Sequence, residues 1–156
     1  MTSETSLSAS SADTNFLIVK ETKGELPSLP FDLMKQGVLG TDYDLSLIFA
    51  SNEKLKELNK KYRDKNGTTD ILSFPISEKN GEIYISIKES ARQAENFGYK
   101  NLPKKISTGE ATEIEKFIGF LFIHGMLHLK GYSHGSTMER EEAKFVKKFR
   151  LSPSGE

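Results

Sequence analysis

The stretch from Ile114 to Gly131 sets the tightest limit on what this chain can fold into. Ile114, Phe117, Ile118, Leu121 and Leu127 recur at helical intervals, which gathers apolar side chains on one face of an α-helix. A helix with such a stripe has to bury it, so the fold needs a second layer for it to lie on. Two capping-box patterns precede the stripe, Ser107-x-x-Glu110 and Thr112-x-x-Glu115, which leaves the helix start open by one turn. Gly131 suits the left-handed position that ends a helix and turns the chain back.

The second layer is visible as strands. Residues 16–20 (FLIVK) form one, and Leu45, Leu47 and Phe49 alternate with Ser46, Ile48 and Ala50 in the period of another. Residues 71–74 and 82–87 supply two more, joined through Pro75 and the polar turn Glu78-Lys79-Asn80-Gly81. Between them lie helical segments. Residues 28–36 suit a short helix with Pro30 near its start. Ser51 or Asn52 can cap a helix striped by Leu55, Leu58 and Tyr62, and Asn66-Gly67 marks the turn after it. Residues 88–97 suit a helix stopped by Gly98. A last helix opens on the capping box Ser136-x-x-Glu139, with Met138, Glu142, Phe145 and Phe149 toward one side. The expected fold is α+β (mixed α/β): a single compact domain over residues 15–150, a mixed sheet of about four strands flanked by helices. Residues 1–14, eight of them Ser or Thr, are expected to form a disordered tail, and residues 151–156 a flexible C-terminus.

Composition narrows the function classes. With 36% hydrophobic and 28% charged residues in 156, the chain has the makings of one folded core. It shows no apolar run near the roughly 20 residues that span a bilayer, and its start lacks the basic and apolar regions of a secretory signal. No membrane role is expected. There is no Cys, which excludes disulfides and thiolate metal sites and fits a cytoplasmic protein. Net charge is zero, so any contact with nucleic acid has to come from a local basic patch.

All three histidines fall within eleven residues, at His124, His128 and His134. Two histidines four apart on a helix have Cβ atoms about 5–6 Å from each other, close enough to share an ion. The bend at Gly131 returns the chain so that His134 can add a third ligand. This H-x3-H-x2-G-x2-H spacing matches the ligand spacing of the metzincin proteases. Three imidazoles leave a fourth tetrahedral position open, the catalytic arrangement of zinc, and such a site lowers the pKa of water from about 15.7 to about 7. One zinc ion is expected, with another divalent transition metal as the alternative, at the end of the long central helix. In the proteases a Glu beside the first ligand is the general base. Here that place is Gly125, so peptide hydrolysis loses its proton carrier, whereas phosphodiester cleavage asks mainly for charge stabilisation on phosphate oxygens.

The segment Asn59-Lys60-Lys61-Tyr62-Arg63 leads to Thr69-Asp70-Ile71-Leu72-Ser73-Phe74-Pro75. Taken alone, Arg63 would be a surface residue, Thr69-Asp70 turn chemistry, and Ser73 has no spare His to make it a nucleophile. Together with H-G-x-L-H-L-x-G-Y-x-H, the segment resembles the YbeY family of bacterial metal-dependent endoribonucleases, over residues from about 45 to 149. The resemblance implies a single-strand-specific endoribonuclease acting in ribosomal RNA maturation, at the 3′ end of 16S rRNA, and in ribosome quality control. It implies His124, His128 and His134 as metal ligands and Arg63 as the catalytic or phosphate-binding residue. RNA and ribosomal or small-subunit proteins are the implied partners, and DNA is not. Four positions depart from the family pattern: Ser133 stands where Asp is usual, Glu82 for Asp, and Asn66 and Thr68 where Asp and Pro are frequent.

Further RNA contacts are expected from basic clusters: Lys60, Lys61 and Lys65 around Arg63; Lys100, Lys104 and Lys105; and Lys144, Lys147, Lys148 and Arg150. Lys61 and Lys65 are the candidates nearest Arg63 in sequence. Tyr62 and Tyr132 can stack on bases, although packing explains either equally simply. Water and the RNA 2′-OH both stay open as nucleophile. Two other functions compete: a ribosome-associated maturation factor whose zinc is mainly structural, and a metal-dependent hydrolase of another substrate.

Overall fold

The structure is a computed structural model and describes residues 5–6, 14–100 and 111–154. Its sheet has the order β1-β2-β3-β5-β4, with strands Thr5–Ser6 (β1), Phe16–Lys20 (β2), Asp44–Phe49 (β3), Ile71–Ser77 (β4) and Asn80–Ile85 (β5). Strands β2, β3 and β5 run parallel, while β4 pairs antiparallel with β5. The expected α+β architecture is therefore present: four full strands in a mixed sheet, extended by a two-residue pairing of Thr5 and Ser6 with Val19 and Ile18. The rest of the Ser/Thr-rich segment, save Thr14, lies outside the described residues, as do Ser107, Glu110, Lys104 and Lys105.

Strand alternation decides which helix covers which face. Leu45, Leu47 and Phe49 of β3, with Ile83 and Ile85 of β5, point to one face and join the main core. That core is closed by Phe31–Leu39 (α1), Glu113–Leu129 (α4) and Ser136–Lys148 (α5). Ile48 and Leu72 point to the other face and pack on Leu55 and Leu58 of Asn52–Arg63 (α2). No helix among the described residues is long and apolar enough to cross a membrane.

Local chemistry explains the helix starts. Ser51 caps α2 by accepting from the Lys54 amide, and Thr112 with Glu115 forms a complete capping box on α4, which resolves the open start. Several expected bounds need correction: the helix over residues 28–36 is Phe31–Leu39, the strand over 71–74 runs on to Ser77, and the helix over 88–97 is α-helical only to Gln93, with a 3-10 turn at Ala94–Phe97. The strand expected over residues 82–87 is Asn80–Ile85, because Ser86 accepts from the Glu89 amide and starts Ile87–Gln93 (α3). Asn80 and Gly81 consequently belong to the strand, and the turn shrinks to Glu78-Lys79. Ser136 does not cap α5; Gly135 does, at φ +156° and ψ −176°, a conformation open essentially to glycine alone. Nor are all of the last residues loose. Leu151 is fully buried, its carbonyl accepts from the Tyr99 hydroxyl at 2.8 Å, and Ser154 is held by Glu113.

Candidate metal centre

The end of α4 builds the site. Gly131, at φ +111°, lets the Tyr132 amide reach back to the Leu127 carbonyl at 3.0 Å and its own amide to the His128 carbonyl at 3.0 Å. These paired bonds are a Schellman closure, which satisfies carbonyls that α4 leaves open and reverses the chain. The reversal has two products. It aims the Tyr132 carbonyl at His128 Nδ1, 3.1 Å away, and it delivers His134 to the histidines of the helix.

The three Nε2 atoms form a triangle with edges of 3.1 Å (His124–His128), 3.2 Å (His128–His134) and 3.3 Å (His134–His124). A tetrahedral zinc with bonds of about 2.0–2.1 Å separates its ligand nitrogens by about 3.3–3.4 Å, so the triangle has the right size. Protonation supports the same fit. A carbonyl can only accept, so His128 Nδ1 carries the proton and Nε2 is a lone pair. His124 Nδ1 lies 2.6 Å from Glu142 Oε2 on α5, and donation to that carboxylate likewise frees the His124 Nε2 lone pair. Two lone pairs 3.1 Å apart have no proton to share, and a cation between them removes the repulsion. Burial, followed by the neighbouring His124, pushes the His128 pKa down and favours the neutral form that binds metal.

Gly125 has a steric reason to be glycine. A Cβ there would stand 2.7 Å from Ser73 Oγ and 2.9 Å from Ile71 Cδ1, because α4 lies directly on β4 at this point. The position next to the first histidine faces the sheet, so no glutamate base of the protease kind fits. Ser73 itself donates to the Gly125 carbonyl at 3.3 Å and does not address the triangle.

Other expected residues are placed as follows. Arg63 is exposed at the last turn of α2, on the sheet face opposite α4, with exposed Lys61 and Lys65 beside it in the chain. Lys60 reaches Asn66 Oδ1 at 3.4 Å, and Lys144 pairs with Glu141 at 3.2 Å. Tyr132 packs against the main core, whereas Tyr62 stands 59% exposed. Ser133 is exposed, and the carboxylate that meets the triangle is Glu142. Glu142 lies outside the histidine motif, and its mark in the sequence is a charge lodged among Met138, Phe145 and Phe149. Asp70 does more than turn the chain: burial holds its carboxyl above the ordinary range, Glu89 adds to this, and His124 lies near enough to pull the other way. Glu89 itself is buried, accepts from Arg92 at 2.8 Å and Gln93 at 2.8 Å, and is held low chiefly by Arg92.

Comparison with known proteins then decides the family. The profile of a family described as Endoribonuclease YbeY matches residues 28–151. This chain belongs to the YbeY family. A Nautilia profundicola protein named Endoribonuclease YbeY is 36% identical over 121 residues, covering 73% of this chain and 78% of the relative. An Alkaliphilus oremlandii protein of the same name is 35% identical over 118 residues, covering 65% and 70%. The solution structure of TM1509 from Thermotoga maritima shares the fold with a TM-score of 0.55 at 26% identity, over 89% of this chain and 99% of that one. The three histidines that the sequence spacing groups do converge in the structure, close enough to one another to hold a metal ion.

Proposed function

We propose that this chain is a metal-dependent endoribonuclease, with His124, His128 and His134 as ligands of one zinc ion or a similar divalent metal. The observation that carries the reading is the triangle of Nε2 atoms at 3.1–3.3 Å with two of its lone pairs set by partners outside it. It is supported by relatives whose names state endoribonuclease activity. A zinc ion held there would supply Lewis acidity toward a phosphate oxygen and would lower the pKa of water to about 7.

The protein's own groups do the rest. Glu142 and the Tyr132 carbonyl hold two rings in the tautomer that presents Nε2. Gly125 keeps the first position after His124 free of any carboxylate, which disfavours amide substrates and leaves phosphodiesters. Arg63, whose planar fork suits phosphate, is the group we assign to neutralising charge on the RNA, with Lys61 and Lys65 on neighbouring phosphates. The substrate we assign is single-stranded ribosomal RNA, at the 3′ end of 16S rRNA, in the cytoplasm and in contact with small-subunit proteins; the family relation supports this.

Metal analysis of the purified protein beside His124→Ala, His128→Ala and His134→Ala tests the core of the reading. Each variant is expected to lose metal and to cleave a single-stranded RNA at least about 100-fold more slowly, on the scale of losing one stabilising group. Retained metal, or retained cleavage without it, overturns the assignment. Product ends separate the nucleophiles, since a 2′,3′-cyclic phosphate arises only by attack of the 2′-OH. Arg63→Ala should lower turnover with metal content unchanged.

A further inference from the structure

Tyr62 is a large aromatic side chain left 59% exposed on α2, and it is not isolated. Its ring meets Phe74 of β4 edge to face at a centroid distance of 5.5 Å and 64°, and Phe74 meets Tyr84 of β5 in the same way at 5.9 Å and 75°. Edge contacts of this kind fix a ring's orientation without covering both its faces. The row therefore ends in a held aromatic surface open to solvent.

Charge is concentrated at the same place. Residues 60–65 carry four cations, Lys60, Lys61, Arg63 and Lys65, against the single acid Asp64, in a chain of zero net charge. Lys61 Nζ sits over one face of the Tyr62 ring, 5.1 Å from its centroid, and a base would take the other face. A fixed exposed ring flanked by cations is the combination that binds single-stranded nucleic acid, the ring taking a base and the cations its phosphates.

The row and the helix that carries His124 are joined through neighbouring residues of one strand. Ser73 and Phe74 are successive residues of β4 and point to opposite faces of the sheet. Ser73 bonds the Gly125 carbonyl, next to His124, while Phe74 supports Tyr62. Strand β4 is last in the sheet order, so its outer edge carries no strand among the described residues. A polynucleotide lying at the triangle has only to pass round that edge to reach Tyr62.

We propose that Tyr62, supported by Phe74 and Tyr84, is a base-stacking subsite for single-stranded RNA, with Lys61 and Lys65 on the flanking phosphates. The inference rests on the endoribonuclease reading and adds to it the face along which the substrate runs. The test is cleavage and fluorescence-anisotropy binding of a labelled single-stranded oligoribonucleotide by the metal-loaded full chain. Tyr62→Ala should bind about 5- to 100-fold more weakly, raising KM with kcat within about twofold, as expected for one lost base stack. Tyr62→Phe, which keeps the ring, should behave as the parent. Lys61→Ala should lower the slope of log affinity against log salt by about 0.7, one single-strand phosphate's worth.

A parent protein that neither binds nor cleaves RNA removes the endoribonuclease reading and the subsite with it. A parent that does both, with Tyr62→Ala unchanged, overturns the subsite alone and assigns the exposed ring to packing or a protein contact. A loss in Tyr62→Phe as large as in Tyr62→Ala overturns stacking in favour of the hydroxyl. Melting curves and metal content, expected to match the parent, guard against misfolding. If Tyr62→Ala fails that check, the Lys61→Ala salt slope decides, and an unchanged slope overturns the proposal.

Discussion

A carboxylate 2.6 Å from a histidine ring nitrogen orients the ring and raises the electron density at its other nitrogen. Glu142 does both for His124, and it does so from a helix eighteen positions further along the chain. The three histidines were legible because their spacing alone implies convergence: one helical turn, then a glycine bend. Glu142 was legible only as an oddity, a charge among apolar residues, because nothing short of the docking of α5 on α4 tells which group it meets. Its worth can be measured. Replacing Glu142 with Ala should weaken metal affinity about 10- to 100-fold, the usual cost of losing such a partner. Glu142→Gln keeps an acceptor oxygen and should lose much less. Competition with a chromophoric chelator reads both, and equal affinity in all three proteins would show that the tautomer of His124 is set by something else.

The element that carries the site is α4, and its placement depends on close approach to β4 at Gly125. Two effects oppose each other in Gly125→Ala. Alanine favours a helix interior by about 1 kcal/mol over glycine. Against this, its Cβ would lie under 3.0 Å from both Ser73 and Ile71, and overpacking of that kind costs about 1–3 kcal/mol. Because α4 is held on its other side by α1 and α5, it cannot simply lift, and the clash should win by up to about 2 kcal/mol. Urea denaturation measures that loss, and a more stable Gly125→Ala would show that α4 has slack. At this scale the sequence was informative wherever the signal is local. Alternation in β3, the Ser51 cap and the Gly131 bend all appear as expected. It was weaker where two signals overlap: Ser86 and Ile87 continue a strand pattern but cap and begin α3, and Ser136-x-x-Glu139 imitates a capping box although Gly135 takes the position. The exposure of Tyr62 was hidden for a related reason. It continues the stripe of Leu55 and Leu58, yet its ring meets Phe74 at the sheet and still stays 59% exposed.

Across the whole molecule, apolar contacts assemble the core, and the metal centre lies at the end of one of the helices that close it. The main core is assembled from Phe16, Leu45, Leu47, Phe49, Ile83 and Ile85 of the sheet with apolar residues of α1, α4 and α5. His134 is exposed, and the other two are only half-buried. Helix α5 is anchored by Met138 and Phe145 as well as by Glu142, so its docking does not hang on the ion. A structural zinc in a small domain would be the opposite, with folding itself dependent on the metal. Chelation should therefore abolish RNA cleavage while leaving the far-ultraviolet circular dichroism of the protein unchanged. Melting should fall only by the linkage contribution of a bound ligand, about 4 kcal/mol where free metal was at 1,000 times its Kd. The residues freed should be those between the Tyr132 and Gly135 backbone anchors, Ser133 and His134, and limited proteolysis should find new cuts there and not in the strands. If chelator instead unfolds the chain, the histidine triangle is a staple of the fold, and catalysis must be sought in another part of the molecule.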